Sequence, residues 1–306
     1  MSALAAVRAA AGLDAYLELL ELRLERAVGS HPGVVGRIGT ETLAAGGKRL
    51  RPVLVFLATP PELREDERPL AAGTAVELVH MATLVHDDLL DAAALRRGRP
   101  TVWAAHGADA ARAAGDYLFA RAFAELAATG DARAVSLLAG AALSLARGEA
   151  LQRRQARRPD TTVEEYLERC SLKTGKLFEA ACLLGGGRDG LGAFGLALGI
   201  AFQIADDILD CAGTPGATGK PRGLDLRDGT PTLPLILAAR EDRKIARALA
   251  GEDVPDALAR VAATGALVEA REVALGYARA ARAALDGEYE RDTLEPLTRV
   301  VVDREA

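Results

Sequence analysis

Apolar residues recur at helical spacing along almost the whole chain. In the first such stretch, residues 3–28, one face holds Leu13, Tyr16, Leu17, Leu20 and Leu24. Repeats three and four residues apart indicate an amphipathic helix. The same pattern predicts further helices at about 34–45, 50–59, 66–91, 107–127, 131–156, 161–185, 190–212, 231–249, 253–262 and 265–287. Strand-type alternation is nearly absent, so the pattern predicts an all-α fold.

The connections between these helices are short clusters of Gly, Pro and Asp, of ordinary length for a helical bundle. None is long enough to divide the chain, so we expect a single all-α domain over residues 1–306. One connection, residues 213–229, is longer than the others. It is too rich in glycine and proline for a helix. We interpret it as a mobile flap over a ligand, because Lys220 and Arg222 lie there; a disordered connection is the alternative.

Composition and charge exclude several classes of protein. Half of the residues are hydrophobic (50%), which is ample for a core, and the net charge of -5 with scattered basic residues argues against a nucleic-acid partner. The 3 cysteines show no CxxC spacing, as expected in a reducing compartment. Arg8 and the acidic residues that follow argue against a signal peptide, and we expect no membrane span. The protein is therefore expected to be cytoplasmic.

Two aspartate clusters of the same form interrupt apolar helical stretches. They are HDDLLD, with Asp87, Asp88 and Asp91, and ADDILD, with Asp206, Asp207 and Asp210. A buried carboxylate without a partner costs several kcal/mol, so two Asp-Asp-x-x-Asp groups imply compensating cations. One such cluster alone could be a solvated helix end, but two in apolar helices favour a divalent metal.

Helix geometry places the first and third aspartate of each cluster on one face, with the second about 100° away. Carboxylates that leave room for water and phosphate suit Mg²⁺, which commonly binds through one or two carboxylates together with substrate phosphates. The clusters therefore predict a magnesium site, and two facing clusters would hold a diphosphate between them.

Cationic groups flank the first cluster in the sequence. Lys48, Arg49 and Arg51 surround a tight turn at a helix start, a geometry suited to phosphate. Arg96 and Arg97 follow the first cluster. Either element alone could be a salt-bridged surface, but both beside an aspartate cluster favour a second anion site.

Three further polar elements complete the set. His80 lies two helical turns before Asp87 on the same face, where it can donate to phosphate or be a satisfied core histidine. Lys173 and Thr174 lie in a KTGK segment, and Gln203 lies one turn before the second cluster.

Taken together, these motifs resemble the trans-isoprenyl diphosphate synthases from about Gly46 to Leu237. The motifs, in order, are GGKRLRP, HMATLVHDDLLD, RRGRPT, GDYLFARA, GEALQ, KTGKLF, FQIADDILD and GKPRGLDLRDGTPTLP. The resemblance implies a large helical bundle around a central cavity (the isoprenoid synthase fold), usually a homodimer. It also implies head-to-tail condensation of isopentenyl diphosphate with an allylic diphosphate.

The resemblance also implies roles for individual residues. The aspartates of both clusters resemble ligands of a Mg²⁺ cluster, three ions with substrate bound, with Asp210 the least direct candidate. The isopentenyl diphosphate site would comprise Lys48, Arg51, His80 and Arg97, with Arg49 a further candidate. The allylic diphosphate would be held and polarised by Arg96, Lys173, Thr174, Gln203 and Lys220. Within this set Lys173, Thr174 and Gln203 would be catalytic, because their dipoles could steady a carbocation.

Two rival functions are weighed against this one. A class I terpene cyclase shares the fold and the carbocation chemistry, but Lys48, Arg51 and Arg97 argue against it because cyclases generally lack a second diphosphate site. A non-catalytic subunit of a heterodimeric synthase tends to lose aspartates, and this chain keeps both clusters. Thr230 stands where many relatives have a second flap lysine, which we interpret as a subgroup character.

Small residues below the first cluster bear on product length. In the family the residues four and five before the first aspartate floor the elongation cavity, and here they are Thr83 and Ala82. The same helical stripe continues through Val79, Ala75 and Ala72. It either lines a tunnel or allows close helix packing. A tunnel of about 16 Å, at ~1.5 Å per residue, accepts roughly three prenyl units of about 5 Å. From a fifteen-carbon primer we expect a product of about C30–C35, within a range of C20–C40.

Overall fold

The computed structural model describes residues 12–96, 98–212, 222–288 and 290–302, and these are almost entirely helical. By their contacts the chain divides into two compact units. The first comprises the residues up to Ala142 together with Ala180–Asp189, and the second comprises Leu143–Glu179 and the residues from Gly190 onward. The assignment of one domain to the whole chain stays a prediction.

Helices of the N-terminal part of the chain contain the first aspartate cluster. They are α1 (Leu13–Val28), α2 (Val34–Ala44), α3 (Leu50–Ala58), α4 (Glu67–Leu90), α5 (Val102–His106), α6 (Ala108–Ala127) and α7 (Ala132–Gln155). A short 3₁₀ helix, Pro61–Leu63, precedes α4, and an antiparallel hairpin of β1 (Leu95–Arg96) and β2 (Arg99–Pro100) follows it. In the first unit α4 packs against α1, α3 and α6, so the helix that ends at the first cluster lies in the core.

Helices of the C-terminal part contain the second cluster. They are α8 (Val163–Cys170), a π-helical turn (Ser171–Gly175), α9 (Lys176–Gly186), α10 (Asp189–Ala212), α11 (Leu224–Asp228), α12 (Leu233–Glu241), α13 (Arg243–Leu249), α14 (Ala257–Ala263), α15 (Ala266–Ala284) and α16 (Arg291–Val302). In the second unit α12 packs against α13 and α15, and α15 packs against α16.

Local sequence explains where site helices begin and end. Thr162 starts α8 with a capping box, in which its Oγ1 accepts the N–H of Glu165 at 3.2 Å and Glu165 accepts the N–H of Thr162 at 2.9 Å. At the other end of a helix, Ala92 adopts a left-handed conformation (φ 49) directly after Asp91. That reversal ends α4 and turns the chain into the hairpin that contains Arg96.

The helices predicted from the pattern are confirmed within the described residues, with ends shifted by up to a few positions. The part of the first predicted helix before residue 12 lies outside the described residues. The prediction of one continuous helix over residues 231–249 is wrong. It breaks at Asp242, whose extended backbone (φ −129, ψ 108) ends α12 and whose Oδ1 accepts the N–H of Lys244 at 2.9 Å to begin α13.

Three further α-helices were not predicted, and one of them is the short α5 (Val102–His106). The segment interpreted as a flap without helix contains α11, because Asp210 accepts the N–H groups of Leu224 and Asp225 at 3.2 Å each and caps its first turn. Residues 213–221 of that segment lie outside the described residues. At the C-terminal end, α16 buries Leu294, Leu297 and Val301; their helical spacing was present in the sequence but not recognised.

Two of the described helices, α7 and α10, are long and apolar enough by length and composition alone to cross a membrane, where the sequence analysis expected none. Two such helices are weak evidence, because core helices of soluble proteins pass the same test. Of the most apolar window, 61% is buried in α10 and 22% in α7. The apolar character of α10 is therefore explained by its burial in the core, whereas much of the apolar surface of α7 is exposed.

Candidate active site

The first aspartate cluster lies in the last turn of α4, where its members differ in exposure. Asp87 is half-buried, Asp88 is buried and Asp91, the C-terminal cap, is exposed. This follows from the helical rotation of about 100° between neighbours, which turns Asp88 towards the protein and Asp87 away from it. Asp87 and Asp91 therefore share the face on which a ligand can bind.

Asp88 is bound by Arg96 of the hairpin. The Arg96 Nε lies 2.9 Å from both carboxylate oxygens, and a terminal nitrogen lies 2.8 Å from Oδ1. From the sequence, Arg96 was predicted to bind the allylic diphosphate and Asp88 to coordinate Mg²⁺. In this structure the two residues engage each other because the reversal at Ala92 turns the hairpin back towards the end of α4. The pair fixes the hairpin to the helix that holds the first cluster.

The basic turn before α3 presents its three cations differently. Lys48 is exposed and Arg51 half-buried, whereas Arg49 is buried in a left-handed conformation (φ 49). The Arg49 guanidinium donates to Glu21 at 2.6 and 3.1 Å and to Glu77 at 3.0 Å. Arg49, a candidate for the isopentenyl diphosphate site, is thus engaged by protein carboxylates and anchors the turn to α1 and α4.

Three other residues were assigned to diphosphate binding, and only His80 lies within the described residues. His80 is half-buried on α4, and its carbonyl accepts the Thr83 hydroxyl at 2.7 Å. Arg97 and Lys220 lie outside the described residues. The structure therefore tests neither of these two and leaves their assignments as predictions.

A π-helical turn holds Lys173 and Thr174 in the second unit. The N–H of Lys176 bonds the carbonyl of Ser171, five residues back, so one extra residue is inserted between α8 and α9. Such insertions are frequent at functional sites because they re-aim side chains. Lys173 Nζ forms an ion pair with Glu149, a residue of α7 in the GEALQ motif to which the sequence analysis assigned no role.

Two glycines let neighbouring helices approach this turn at backbone distance. A Cβ added at Gly148 of α7 would lie 2.7 Å from the nitrogen and 2.9 Å from the Cα of Lys173. A Cβ added at Gly199 of α10 would lie 2.8 Å from the Cα of Gly175. Neither position has room for a side chain, so α7 and α10 hold the turn from two sides.

A chain of hydrogen bonds connects the π-turn to the second cluster. The Thr174 hydroxyl donates to Gln203 Oε1 at 2.7 Å, and Gln203 Nε2 donates to Asp207 Oδ1 at 2.8 Å. The Tyr166 hydroxyl donates to Asp207 Oδ2 at 2.6 Å. The grouping of Thr174 and Gln203 with this cluster, predicted from sequence, corresponds to direct contacts. Tyr166 was missed, because one tyrosine on the apolar face of an amphipathic helix looks like an ordinary core residue.

Asp207 is buried and occupied by protein donors on both oxygens. Burial raises the pKa of Asp207 to about 7, against the lowering effect of its hydrogen bonds from Tyr166 and Gln203. The raised pKa shows that an ionised carboxylate is unfavourable in this position. The hydrogen bonds from Tyr166 and Gln203 stabilise it there.

The other two aspartates of the second cluster also differ. Asp206 is half-buried, on the neighbouring helical position to Asp207. Asp210 caps α11, as described above, and therefore holds the described end of the flap against α10. In this cluster, as in the first, the second aspartate is bound inside the protein while the first is partly open to solvent.

The donor chemistry of the aspartates that are exposed or half-buried fits Mg²⁺. Asp87 and Asp91 share an accessible face, and Asp206 occupies the corresponding first position of its own cluster. Within the part of the chain that the structure describes, no group of three or more His, Cys, Asp or Glu side chains is gathered into a closed site. A site completed by water and substrate phosphate needs no such group.

The proposed chain-length stripe lies on α4. Ala82, Val79, Ala75 and Ala72 are buried, and Thr83 is half-buried. Burial agrees with both interpretations of the stripe, a tunnel lining or a helix-packing face, and the assignment stays a prediction.

Comparison with known proteins identifies the family. The family model of the polyprenyl synthetases matches residues 33–264. Component 2 of heptaprenyl diphosphate synthase from Geobacillus stearothermophilus is 43% identical over 235 residues, covering 74% of this chain and 73% of that protein. Octaprenyl diphosphate synthase from Haemophilus influenzae is 36% identical over 229 residues, covering 72% and 70%.

A solved structure extends the similarity to the whole chain. The polyprenyl synthase of Caulobacter crescentus, crystallised with calcium and isoprenyl diphosphate, is 34% identical with a TM-score of 0.89, covering 100% of this chain and 98% of that one. The chain belongs to the polyprenyl synthetase family, the trans-isoprenyl diphosphate synthases, and has the isoprenoid synthase fold. It is a prenyltransferase, and its family uses isoprenyl diphosphates as substrates and Mg²⁺ as cofactor.

Proposed function

We propose that the enzyme condenses isopentenyl diphosphate head-to-tail with an allylic diphosphate, such as farnesyl or geranylgeranyl diphosphate, to give a trans-polyprenyl diphosphate. The observation that carries the proposal is the common design of the two clusters. In each, the second aspartate is held by protein donors while the first is partly exposed. Two copies of this design suit a substrate whose diphosphate is bound through metal.

In this proposal the metal is bound by Asp87, Asp91 and Asp206. Three Mg²⁺ ions are expected when substrate is bound. Mg²⁺ bound there would stabilise the negative charge that develops on the diphosphate as it leaves. Asp88 and Asp207 position their neighbours instead, because their oxygens are engaged by Arg96, Gln203 and Tyr166. The prediction that all six aspartates are metal ligands stays untested, and this proposal gives the direct contacts to three of them.

Fixed cations and dipoles supply the remaining electrostatics. Lys173 contributes a positive charge to the allylic diphosphate, and the close approach of its backbone to Gly148 of α7 restricts its movement. Departure of the diphosphate leaves an allylic carbocation, which the double bond of isopentenyl diphosphate attacks. The new cation then loses a proton to the released diphosphate. Thr174 and Gln203, already oriented by hydrogen bonds, present oxygen dipoles towards that cation. Lys48, Arg51 and His80 hold the isopentenyl diphosphate, joined by Arg97.

For product length we propose about C30–C35, within C20–C40, from the estimate of roughly three prenyl units along the stripe. The two curated relatives described above favour a product in the medium to long range, since their names describe heptaprenyl and octaprenyl synthases. Small side chains at positions 82, 79 and 75 would let the growing chain pass along α4.

A second copy of the chain is the proposed partner. Helix α7 exposes Leu143 (69% exposed), with Ala146 and Ala150 exposed on the same face one and two turns later. Small residues around one large apolar side chain permit close approach of a symmetric copy. Light scattering should give twice the monomer mass, and Leu143→Arg should shift the protein towards monomer.

We place the enzyme in the cytoplasm. Its three cysteines, Cys170, Cys182 and Cys211, are buried thiols, which suits a reducing compartment. The apolar surface of α7 is assigned to the second copy and not to a membrane.

The function is tested by incubating the purified chain with labelled isopentenyl diphosphate and primers of ten, fifteen and twenty carbons, followed by mass analysis. We expect Mg²⁺-dependent polyprenyl diphosphates with a distribution centred near C30–C35. Hydrocarbon formed from an allylic diphosphate alone would instead indicate a terpene cyclase. Inactivity relieved by a second protein would indicate one subunit of a heterodimer, as the name of the Geobacillus relative, component 2, suggests for that protein.

A further inference from the structure

Glu149 lies beside the lysine of the π-turn because of the residue before it. Gly148 allows the backbone of Lys173 to lie against α7, since any Cβ at Gly148 would overlap it at 2.7–2.9 Å. The next residue along α7 is then within reach of the lysine side chain. The Gly-Glu pair of the GEALQ motif thus combines a close backbone approach with a negative charge.

The Glu149 carboxylate joins two cations. One oxygen contacts Lys173 Nζ, and the other accepts from Arg153 Nε at 2.8 Å, one turn further along α7. The Glu149 and Lys173 side chains are 18% and 22% exposed, so water screens the pair only partly. Burial works against the charge, but Lys173 and Arg153 outweigh it and hold the pKa of Glu149 below its usual value. Glu149 is therefore negatively charged at neutral pH.

A half-buried lysine at an anion-binding site needs an anionic partner while the substrate is absent. Without a counter-ion, the Lys173 ammonium would be partly desolvated whenever substrate is absent. A diphosphate arriving at Lys173 competes with Glu149 for the same ammonium protons. The ion pair must then open or weaken, which lowers the net affinity for every diphosphate that binds there.

We propose that Glu149 is the exchangeable counter-ion of Lys173, releasing the lysine to the incoming allylic diphosphate and recovering it when inorganic diphosphate leaves. The inference rests on the proposed role of Lys173 in binding the allylic diphosphate. Each round of elongation releases one inorganic diphosphate, and the lengthened chain then needs that position for the next round. Glu149 is thus a positioning residue that favours release over retention.

The test uses Glu149→Gln, which keeps the shape and removes the charge. We expect the dissociation constant of inorganic diphosphate, measured by calorimetry in Mg²⁺ buffer, to fall roughly three- to tenfold. The KM for the allylic diphosphate should fall with it, kcat should fall because release slows, and the KM for isopentenyl diphosphate should stay within about twofold. An unchanged dissociation constant would overturn the proposal.

Three further variants make the result specific. In a Lys173→Gln background the same change at 149 should no longer affect diphosphate binding; an undiminished effect would show that Glu149 does not act through Lys173. Arg153→Gln, on the same helix, removes a cation from Glu149 and so strengthens the attraction of Glu149 for Lys173. It should therefore not tighten diphosphate binding, and tighter binding would contradict the counter-ion role. Glu149→Asp, which keeps the charge but shortens the side chain, should tighten diphosphate binding less than Glu149→Gln does, and it stays informative if the Gln variant folds poorly.

The failure of this inference differs from failure of the proposed function. If Lys173→Gln itself does not weaken diphosphate binding, the assumed role of Lys173 is wrong. If it does weaken binding while Glu149→Gln changes nothing, only the counter-ion role is wrong.

Discussion

The hydroxyl of Tyr166 donates to the buried carboxylate of Asp207 at 2.6 Å. This contact joins α8 to α10 beneath the second aspartate cluster. Because Gln203 occupies the other oxygen, Asp207 is held on both sides by protein. In the proposed function Asp207 supports the site, and the variant Tyr166→Phe tests that role.

Tyr166→Phe removes a donor from a buried carboxylate while keeping the ring. We expect a loss of about 1–3 kcal/mol in the free energy of unfolding, because the oxygen is left without its partner. Denaturant titration measures the change. Tyr277→Phe, at a half-buried tyrosine of the same unit, is the control and should cost less than about 0.5 kcal/mol. Equal losses in the two variants would contradict the assigned role.

Asp87→Asn and Asp88→Asn should separate metal binding from support. The first should raise the Mg²⁺ concentration needed for half-maximal activity severalfold with little loss of stability. The second should cost about 1–3 kcal/mol of stability, because the partly exposed pair with Arg96 is broken. Activity against Mg²⁺ concentration and urea unfolding provide the two readouts. If Asp88→Asn left stability intact and shifted the Mg²⁺ requirement, Asp88 would be a ligand.

Glu77→Gln should loosen the basic turn that holds Lys48 and Arg51. Glu77 is buried against Arg49, so its loss leaves a buried cation half-paired and should cost about 2–4 kcal/mol. The KM for isopentenyl diphosphate should rise more than that for the allylic substrate. Glu21, whose side chain is 43% exposed, contacts the same guanidinium. Glu21→Gln is therefore the matched control, with an expected cost below about 1 kcal/mol; the opposite order would refute the anchor.

Gly148→Ala should displace the π-turn. The added methyl would meet the Lys173 backbone at 2.7–2.9 Å, so the turn or α7 has to move. We expect kcat to fall at least tenfold and stability to fall by about 1–3 kcal/mol. Gly276→Ala, in the helix α15, meets only an arginine end at 3.8 Å, and should be neutral or stabilising by up to about 1 kcal/mol. Full activity of Gly148→Ala would show that the close approach is not required.

Ala82→Phe and Ala75→Phe should shorten the product to different extents. A phenyl ring at position 82 would block the proposed tunnel near its entrance. At position 75 it would block the tunnel about 10 Å further on, at ~1.5 Å per residue, or roughly two prenyl units. Mass analysis should therefore show the shortest chains for Ala82→Phe and intermediate ones for Ala75→Phe. An unchanged distribution in both would show that the stripe is a packing face.

Some parts of the site could be read from sequence and others could not. The clusters, the basic turn and the KTGK segment were recognisable because their residue types are unusual inside apolar helices. The engagement of Arg49 by Glu21 and Glu77 was not, because these residues are far apart in sequence and glutamates on helices are common. The π-turn was also hidden, since Ser171–Gly175 continues the helical pattern around it.

The amino-acid sequence by itself determined the all-α class, most helix positions, the family and the residue types of the two proposed diphosphate sites, because periodicity and chemically costly residues are local properties. Only the tertiary structure decided which charged groups neutralise one another. In the folded chain Asp88 pairs with Arg96, Asp207 accepts from Tyr166, and Lys173 pairs with Glu149. Such pairing depends on which side chains share a desolvated space, and no local pattern encodes that.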